Sequence, residues 1–257
     1  MASPTPEALA AIGARAAAAA QVFTEDPSHP VLSDEDRHHL GRVLRLRDGE
    51  EVVVSDGAGH WARTSWVDGG ELTPLAGAAG PGGDGSVQFE ALTGPALTVA
   101  FAPTKGERPE WVVQKLTELG IDRIVPLVSE RSVVRWSGAR GASAVARLRR
   151  VAREAAAQCR RVHLPEVGDV VRFADLPGLA PPGQVGLAQL SGDRPGTQQT
   201  VVAVGPEGGW SSEELGAGLP TVGFGLSVLR AETAAVTAGA LMASLRTGTV
   251  AAVGVPR

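Results

Sequence analysis

Two short segments near the C-terminal end of the 257-residue chain carry the residue types needed to hold a ligand and act on it. The first, Val204-Gly205-Pro206-Glu207-Gly208-Gly209-Trp210, directly follows an apolar run from Thr200. Its three glycines let the backbone approach a flat ligand and offer N–H and C=O groups to it. The same residues also suit a plain tight turn between a strand and a helix, and both readings stay open on this segment alone. No G-K-[ST] follows, so it is not a P-loop, and its spacing is not that of the dinucleotide fingerprint. Ser211-Ser212-Glu213-Glu214 behind it is a capping box, which sets where the next helix begins. The second segment, Gly223 to Ala234, places Arg230, Glu232 and Thr233 at the start of a long apolar helix. Glu232 and Thr233 suit the positive end of a helix dipole whether or not they do chemistry. Arg230, beside Leu226, Val228 and Leu229, calls for a partner, either a structural carboxylate or an anionic ligand. Metal chemistry has no such support. The five histidines form no H-x-x-x-H pair, and the lone Cys159 excludes both an internal disulfide and a cysteine-cluster zinc site.

These loops need a scaffold, and the patterning predicts one. From Leu97 onward strands alternate with helices: Leu97–Ala102, a helix over Glu110–Leu119, Arg123–Val128, a helix over Ala142–Gln158, then Gln184–Gln189, Thr200–Val204, Thr221–Phe224 and a last helix from Ala231 to about Leu245. That alternation means an α/β fold with a parallel sheet covered by helices, in which ligands bind at the carboxyl ends of the strands. Residues 22–75 read differently, as a small β-rich module with one helix. Ser33 is its N-cap, with Asp34, Glu35 and Asp36 in the first turn. Leu40, Val43 and Leu44 fall on one face and His38, Arg42 and Arg45 on the other, and Gly49 stops the helix after Asp48. Glu51–Ser55 and His60–Val67 are expected to pair across an Asp56-Gly57 turn, with Gln88–Leu92 closing the module. The sharpest break is Ala76–Gly85, which has neither period nor core-forming residues.

The net charge of −4 speaks against a nucleic-acid partner only if charge is evenly spread, and it is not. Nine arginines and a single acid, Glu154, lie between Arg131 and Arg161. A planar guanidinium suits bidentate phosphate contact, so the cluster reads either as an RNA-facing surface or as a solvated helix face. No apolar run is long enough to span a membrane. The first twenty residues, alanine-rich with Glu7 and Arg15, read as a frayed tail or short helix and not as a signal peptide. A lone cysteine fits a reducing, cytoplasmic setting.

Taken in order, GPEGG and VLRAETA resemble the RsmE family of 16S ribosomal RNA uridine-N3 methyltransferases. The likeness extends to Lys105-Gly106-Glu107-Arg108 with Trp111 to Gly120, to Pro126 to Ser132, to Glu154-Ala155-Ala156 with Gln158, to Pro165-Glu166-Val167, and to Arg37-His38-His39-Leu40 with Arg42 to Arg45 and Ser55-Asp56-Gly57. It covers roughly residues 21–247. The chain departs from the pattern at Cys159-Arg160-Arg161, at Gln21-Val22-Phe23 and at Ser227. After the Ala-rich N-terminal tail (1–20), the resemblance implies a PUA-like RNA-binding β-barrel domain (21–94) and a SPOUT-type methyltransferase domain (95–257) with a C-terminal trefoil knot. It implies S-adenosylmethionine as cofactor, no metal, ribosomal RNA within the small subunit as partner, and a homodimer in the cytoplasm. The donor is then expected among three loops. One follows Leu187. One carries Gly205, Glu207, Gly208 and Gly209. One carries Gly225, Leu226, Val228 and Leu229, with Thr233 and Ala234 at the helix start.

A sulfonium donor is already activated, so catalysis reduces to holding the acceptor nitrogen in line and stabilising the anion formed when N3 loses its proton. Arg230 is the candidate for the second task, with Glu232 orienting it or a neighbouring subunit's group. Glu207 is either a general base or a residue bonding N–H groups of its own loop. Arg37, Arg42 and Arg45 in the first domain and Arg131, Arg135 and Arg153 in the second are the expected RNA contacts. Two rivals remain: a non-catalytic RNA-binding protein, which has no use for GPEGG and LRAETA together, and a SPOUT enzyme acting on tRNA, against which the first domain and the KGER segment speak.

Overall fold

A computed structural model describes residues 6–67, 69–75 and 87–251, which divide into two compact units. The Ala76–Gly85 break lies outside the described residues, as does the very start of the Ala-rich segment.

The first unit holds the chain to Leu92 together with residues 156–164. Its elements are α1 (Pro6–Ala17), β1 (Ala20–Phe23), α2 (Asp34–His38), β2 (Glu51–Ser55), β3 (His60–Val67), β4 (Glu71–Pro74) and β5 (Gln88–Phe89). The sheet order is β1-β2-β3-β4 with β5 also on β3, and only the β1–β2 pair is parallel. The run EVVVS shows no alternation because both faces of β2 are buried. Val52 and Val54 pack with Val22, Leu40 and Trp66, whereas Val53 packs with Ala18, Trp61 and Val162.

The alanine-rich segment is helical, the second of its two readings, and its end is tied down. Arg15 is 4% exposed, with its guanidinium 4.8 Å from the centre of the Trp61 ring and 2.7 Å from the Glu90 carboxylate. Arg160 holds the same corner, donating to the carbonyls of Ala157 (2.8 Å), Ala18 (2.9 Å) and Ala19 (3.0 Å). Burial lowers the pKa of its guanidinium below the usual value, only partly offset by the neighbouring Cys159. Arg160 thus leaves the arginine cluster for a structural role.

The helix expected over 34–48 starts as predicted but ends early. Ser33 Oγ accepts the Asp36 N–H at 3.0 Å. After His38 the chain widens into a π-helical turn, His39–Val43, with the Leu44 N–H on the His39 carbonyl (2.9 Å), and Arg45 takes φ 56°. That widening breaks the 3.6-residue phase. Leu40 is fully buried, but Val43 and Leu44 are 59% and 44% exposed, so the expected apolar stripe shrinks to one residue.

The second unit comprises residues 93–155 and 165–251. Its elements are β6 (Thr98–Phe101), α3 (Arg108–Glu118), β7 (Arg123–Val128), α4 (Gly138–Gln158), β8 (Glu166–Val167), β9 (Val171–Arg172), a 3₁₀ segment (Phe173–Leu179), β10 (Val185–Asp193), β11 (Val201–Val204), α5 (Ser212–Leu215), β12 (Thr221–Val222) and α6 (Ala231–Thr247). Every pair in the order β12-β10-β11-β6-β7-β8 is parallel, with β9 also on β7. Both faces are covered, so neighbouring strand residues serve opposite cores. Val99, Phe101, Val202 and Val204 pack under α3, α4 and α6 through Leu116, Leu148 and Ala238. Ala100, Val125, Leu127 and Ala203 pack on the other side with Leu176 and Trp210. Near the end of α6, Arg246 pairs with Asp122 and donates to the Gly120 carbonyl, pinning that helix to the turn before β7. No described helix is long and apolar enough to cross a membrane.

Candidate functional site

The carboxyl-end side of the sheet carries a cavity of about 380 Å³ in the second unit. Three stretches enclose it: Ala188–Leu190 of β10, Val204–Trp210 after β11, and Phe224–Ala234 leading into α6. β11 ends at Val204, and the chain turns at Gly205, where an added Cβ would sit 3.1 Å from the Trp210 indole. A side chain at 205 would thus require the Trp210 indole to shift by a few tenths of an ångström. Gly209 takes φ 67° and an added Cβ there would meet open space, so a larger residue at 209 is opposed by backbone strain and not by crowding. The Gly209 N–H bonds the Pro206 carbonyl at 2.8 Å. Trp210, 4% exposed, closes the wall and donates Nε1–H to the Ala188 carbonyl at 2.9 Å. The capping box forms as expected. Ser211 Oγ accepts the Glu214 N–H (3.2 Å) and Glu214 Oε2 accepts the Ser211 N–H (2.9 Å).

Of the expected donor-site residues, Gly205, Glu207, Gly209, Gly225, Val228, Leu229 and Ala234 line this cavity. Leu187 does not. It is fully buried inside β10, which continues to Asp193 through a register irregularity against Val222. The expected loop after Leu187 is thus an irregular continuation of β10, and Ala188, Gln189 and Leu190 line the cavity in its place. Gly208 points its carbonyl at Arg131, Leu226 is fully exposed, and Thr233 lies on the exposed side of α6. Trp210 and Ala188 are additions. Trp210 follows the glycines directly, but a tryptophan beside a turn reads equally as core, and Ala188 carries no signal at all.

Arg230 is the N-cap residue of α6 and lines the cavity, largely exposed. Among the described residues no ion pair or side-chain hydrogen bond engages it, so the structural-carboxylate alternative is not what the fold uses. Glu232 makes no ion pair or hydrogen bond with it among the described residues. That carboxylate is turned to Arg108, 3.6 Å away, with Oε2 buried and without a hydrogen-bond partner. Glu207 is exposed and makes no bond to its own loop among the described residues, which removes one of its two readings.

The expected RNA contacts divide. Arg42 and Arg45 are exposed beside the π-helical turn, and Arg37 is held by Asp34 (3.1 Å) and the Gly70 carbonyl (3.3 Å). In the second unit Arg153 is exposed on α4, Arg135 donates to the carbonyls of Glu130 and Ser132, and Arg131 donates to the Gly208 carbonyl at 3.1 Å. Among the described residues no cluster of His, Cys, Asp and Glu could hold a metal ion.

Known proteins match this arrangement. A family model described as an RNA methyltransferase domain matches residues 93–243, and an RNA methyltransferase PUA domain matches residues 32–64. The chain is 32% identical over 231 residues to the ribosomal RNA small subunit methyltransferase E of Mycobacterium bovis, covering 81% of this chain and 83% of that one. It is 31% identical to the protein of the same name from Synechocystis, covering 80% and 70%. A methyltransferase of Legionella pneumophila, solved with bound S-adenosylmethionine, superposes with a TM-score of 0.70 at 26% identity, covering 86% and 96%.

Proposed function

Because the chain belongs to the ribosomal RNA small subunit methyltransferase E family of RNA methyltransferases, we propose that it transfers the methyl group of S-adenosylmethionine to N3 of a uridine in 16S ribosomal RNA. The observation that carries this reading is the cavity built from GPEGG and the loop before LRAETA, inside the family-matched region. Its size lies within the roughly 300–1,000 Å³ of small-molecule pockets. Its walls are mostly apolar side chains and glycine backbone, with Gln189 and Ser227 polar and Arg230 and Glu207 charged. That composition fits a donor with a flat base, an aliphatic chain and charged termini. Gly205, Gly209, Trp210 and Ala234 would hold the donor, which supplies an electrophilic methyl group when bound. Arg230, at the cavity edge and without a partner among the described residues, supplies positive charge where the uracil carbonyls gain negative charge as N3 loses its proton. Glu207, exposed at the lining of the same cavity, is the candidate to accept that proton.

The first unit, with Arg42 and Arg45 exposed, is the RNA-gripping part of this proposal. So are a homodimer, supported by the wholly exposed Leu226 and the 85% exposed Val228 beside the cavity, an implied knotted path through β12 and α6, and action on a small subunit in the cytoplasm. Mass spectrometry of ribosomal RNA nucleosides from a deletion strain tests the activity. Loss of 3-methyluridine from 16S RNA, restored by the wild-type gene, is expected. An unchanged 16S profile with a lost methyl mark in tRNA would hand the function to the tRNA reading.

A further inference from the structure

We propose that Glu214 and Arg131 are positioning residues for methyl transfer, bracing the donor loop Gly205–Trp210 against the loop after β7, which does not itself line the cavity. The inference rests on the reading of that cavity as the donor site.

A capping box is ordinarily a local device, its glutamate reaching back to the N–H of its own cap residue. The rest of the carboxylate's acceptor capacity is usually left to water. In Glu214 it is neither exposed nor idle. The residue is 6% exposed, and while Oε2 accepts the Ser211 N–H, Oε1 accepts the N–H of Glu130 at 2.8 Å, 84 residues earlier in the chain. A carboxylate withdrawn from water to this degree depends on such bonds. The helix it caps has four residues, too short to account for a buried charge by its own needs. The neighbouring Arg131 reaches the other part of the donor segment, donating Nη1–H to the Gly208 carbonyl.

The loop that offers both groups is cross-linked within itself. The Ser129 N–H donates to Ser132 Oγ (2.9 Å), the Ser132 N–H donates to the Ser129 carbonyl (3.2 Å), and both serines are buried. Gly208 and Gly209 have no side chains with which to pack, so the openness that admits a ligand leaves this stretch with the Gly209–Pro206 turn bond and little side-chain packing of its own. The brace supports it from outside at two points, Gly208 and Ser211, on either side of Trp210. Preorganising a binding loop in this way raises affinity by removing the ordering penalty. Arg131 therefore moves from the expected RNA contacts to donor-loop positioning.

The test combines donor calorimetry, steady-state kinetics and amide hydrogen exchange on the full chain. Arg131→Ala is surface-exposed and carries little folding risk. It is expected to weaken S-adenosylmethionine binding about tenfold or more, the scale of a lost hydrogen bond to a charged group. The loss should appear in KM for the donor more than in kcat, with faster exchange at Gly208–Trp210 even without donor, and Arg131→Lys should recover part. Glu214→Gln keeps the volume but turns an NH₂ toward one of two N–H donors. It should speed exchange at Ser211 and Glu130 together and weaken donor binding in parallel. Ser211→Ala, which removes only the cap inside α5, should weaken donor binding less than either. An Arg131→Ala variant with wild-type exchange and donor affinity but weaker, less salt-dependent RNA binding would overturn the brace and return Arg131 to RNA contact. A wild-type protein that binds no donor would overturn the reading of the cavity and the positioning role with it, whereas the donor-free exchange data would still report whether the brace exists.

Discussion

Arg230 stands at the cavity edge with no partner among the described residues, and this decides how its loss would read. A guanidinium in a buried ion pair would be missed in folding. An exposed, unpaired one should be missed only when charge develops on the substrate. Arg230→Ala is therefore expected to lower single-turnover methylation on the order of a hundredfold, with melting temperature and donor affinity close to wild type. Arg230→Lys should recover part, since an ammonium cannot make a planar two-point contact. Raising the pH should partly rescue the alanine variant, because more uridine ionises unaided. A rate loss matched by an equal loss of donor affinity would instead make Arg230 a donor-site wall. At this scale much was legible. The glycines at 205 and 209 mark a turn with room for a ligand, and an arginine among Leu226, Val228 and Leu229 invites explanation. The direction of Glu232 was not legible, because its partner Arg108 sits 124 residues earlier and spacing holds no record of such pairings.

Elements read well where their period survives and badly where it slips. β7 and β2 match their expected limits because an apolar run bounded by turn residues has few other solutions. The helix after Ser33 shows the opposite. Its cap and acidic first turn were readable, yet the widening at His39–Val43 adds a residue to the turn, and every face assigned beyond it rotates. Arg42 and Arg45 do not share a helical face; they flank an exposed, irregular tip together with Val43 and Leu44. A basic tip with apolar side chains still suits RNA, because phosphates take the charges and an unstacked base can lie on the apolar atoms. Replacing Arg42 and Arg45 together with alanine should weaken RNA binding and flatten its salt dependence by about two phosphate contacts. Donor affinity measured in the same preparation should hold. Unchanged RNA affinity at both low and moderate salt would mark the tip as solvated surface only.

For the molecule as a whole, the least legible fact is which distant segments belong together. Residues 156–164 cluster with the first unit although they begin in the last turn of α4, because Arg160 and Ser55 tie them there. No composition change marks that step. The cavity presents the same difficulty, since its walls come from three strands that meet only in the folded sheet. It also leaves a surface the single chain does not use. Leu226 is wholly exposed and Val228 is 85% exposed, both on the loop that forms the cavity wall. Two large apolar side chains held in water beside a site mark a place where another surface belongs. If that surface is a second copy of the chain, the contact is self-complementary, and one charge placed on it is introduced twice. Leu226→Glu with Val228→Glu should thus shift sedimentation from dimer toward monomer. The fold should survive, since neither side chain is part of either core. Donor affinity should fall with dissociation and return as protein concentration is raised, because the loop that carries both residues also forms the donor wall. A variant that sediments as wild type would show that Leu226 and Val228 face RNA or solvent, and methylation of RNA by such a variant would tell those two apart.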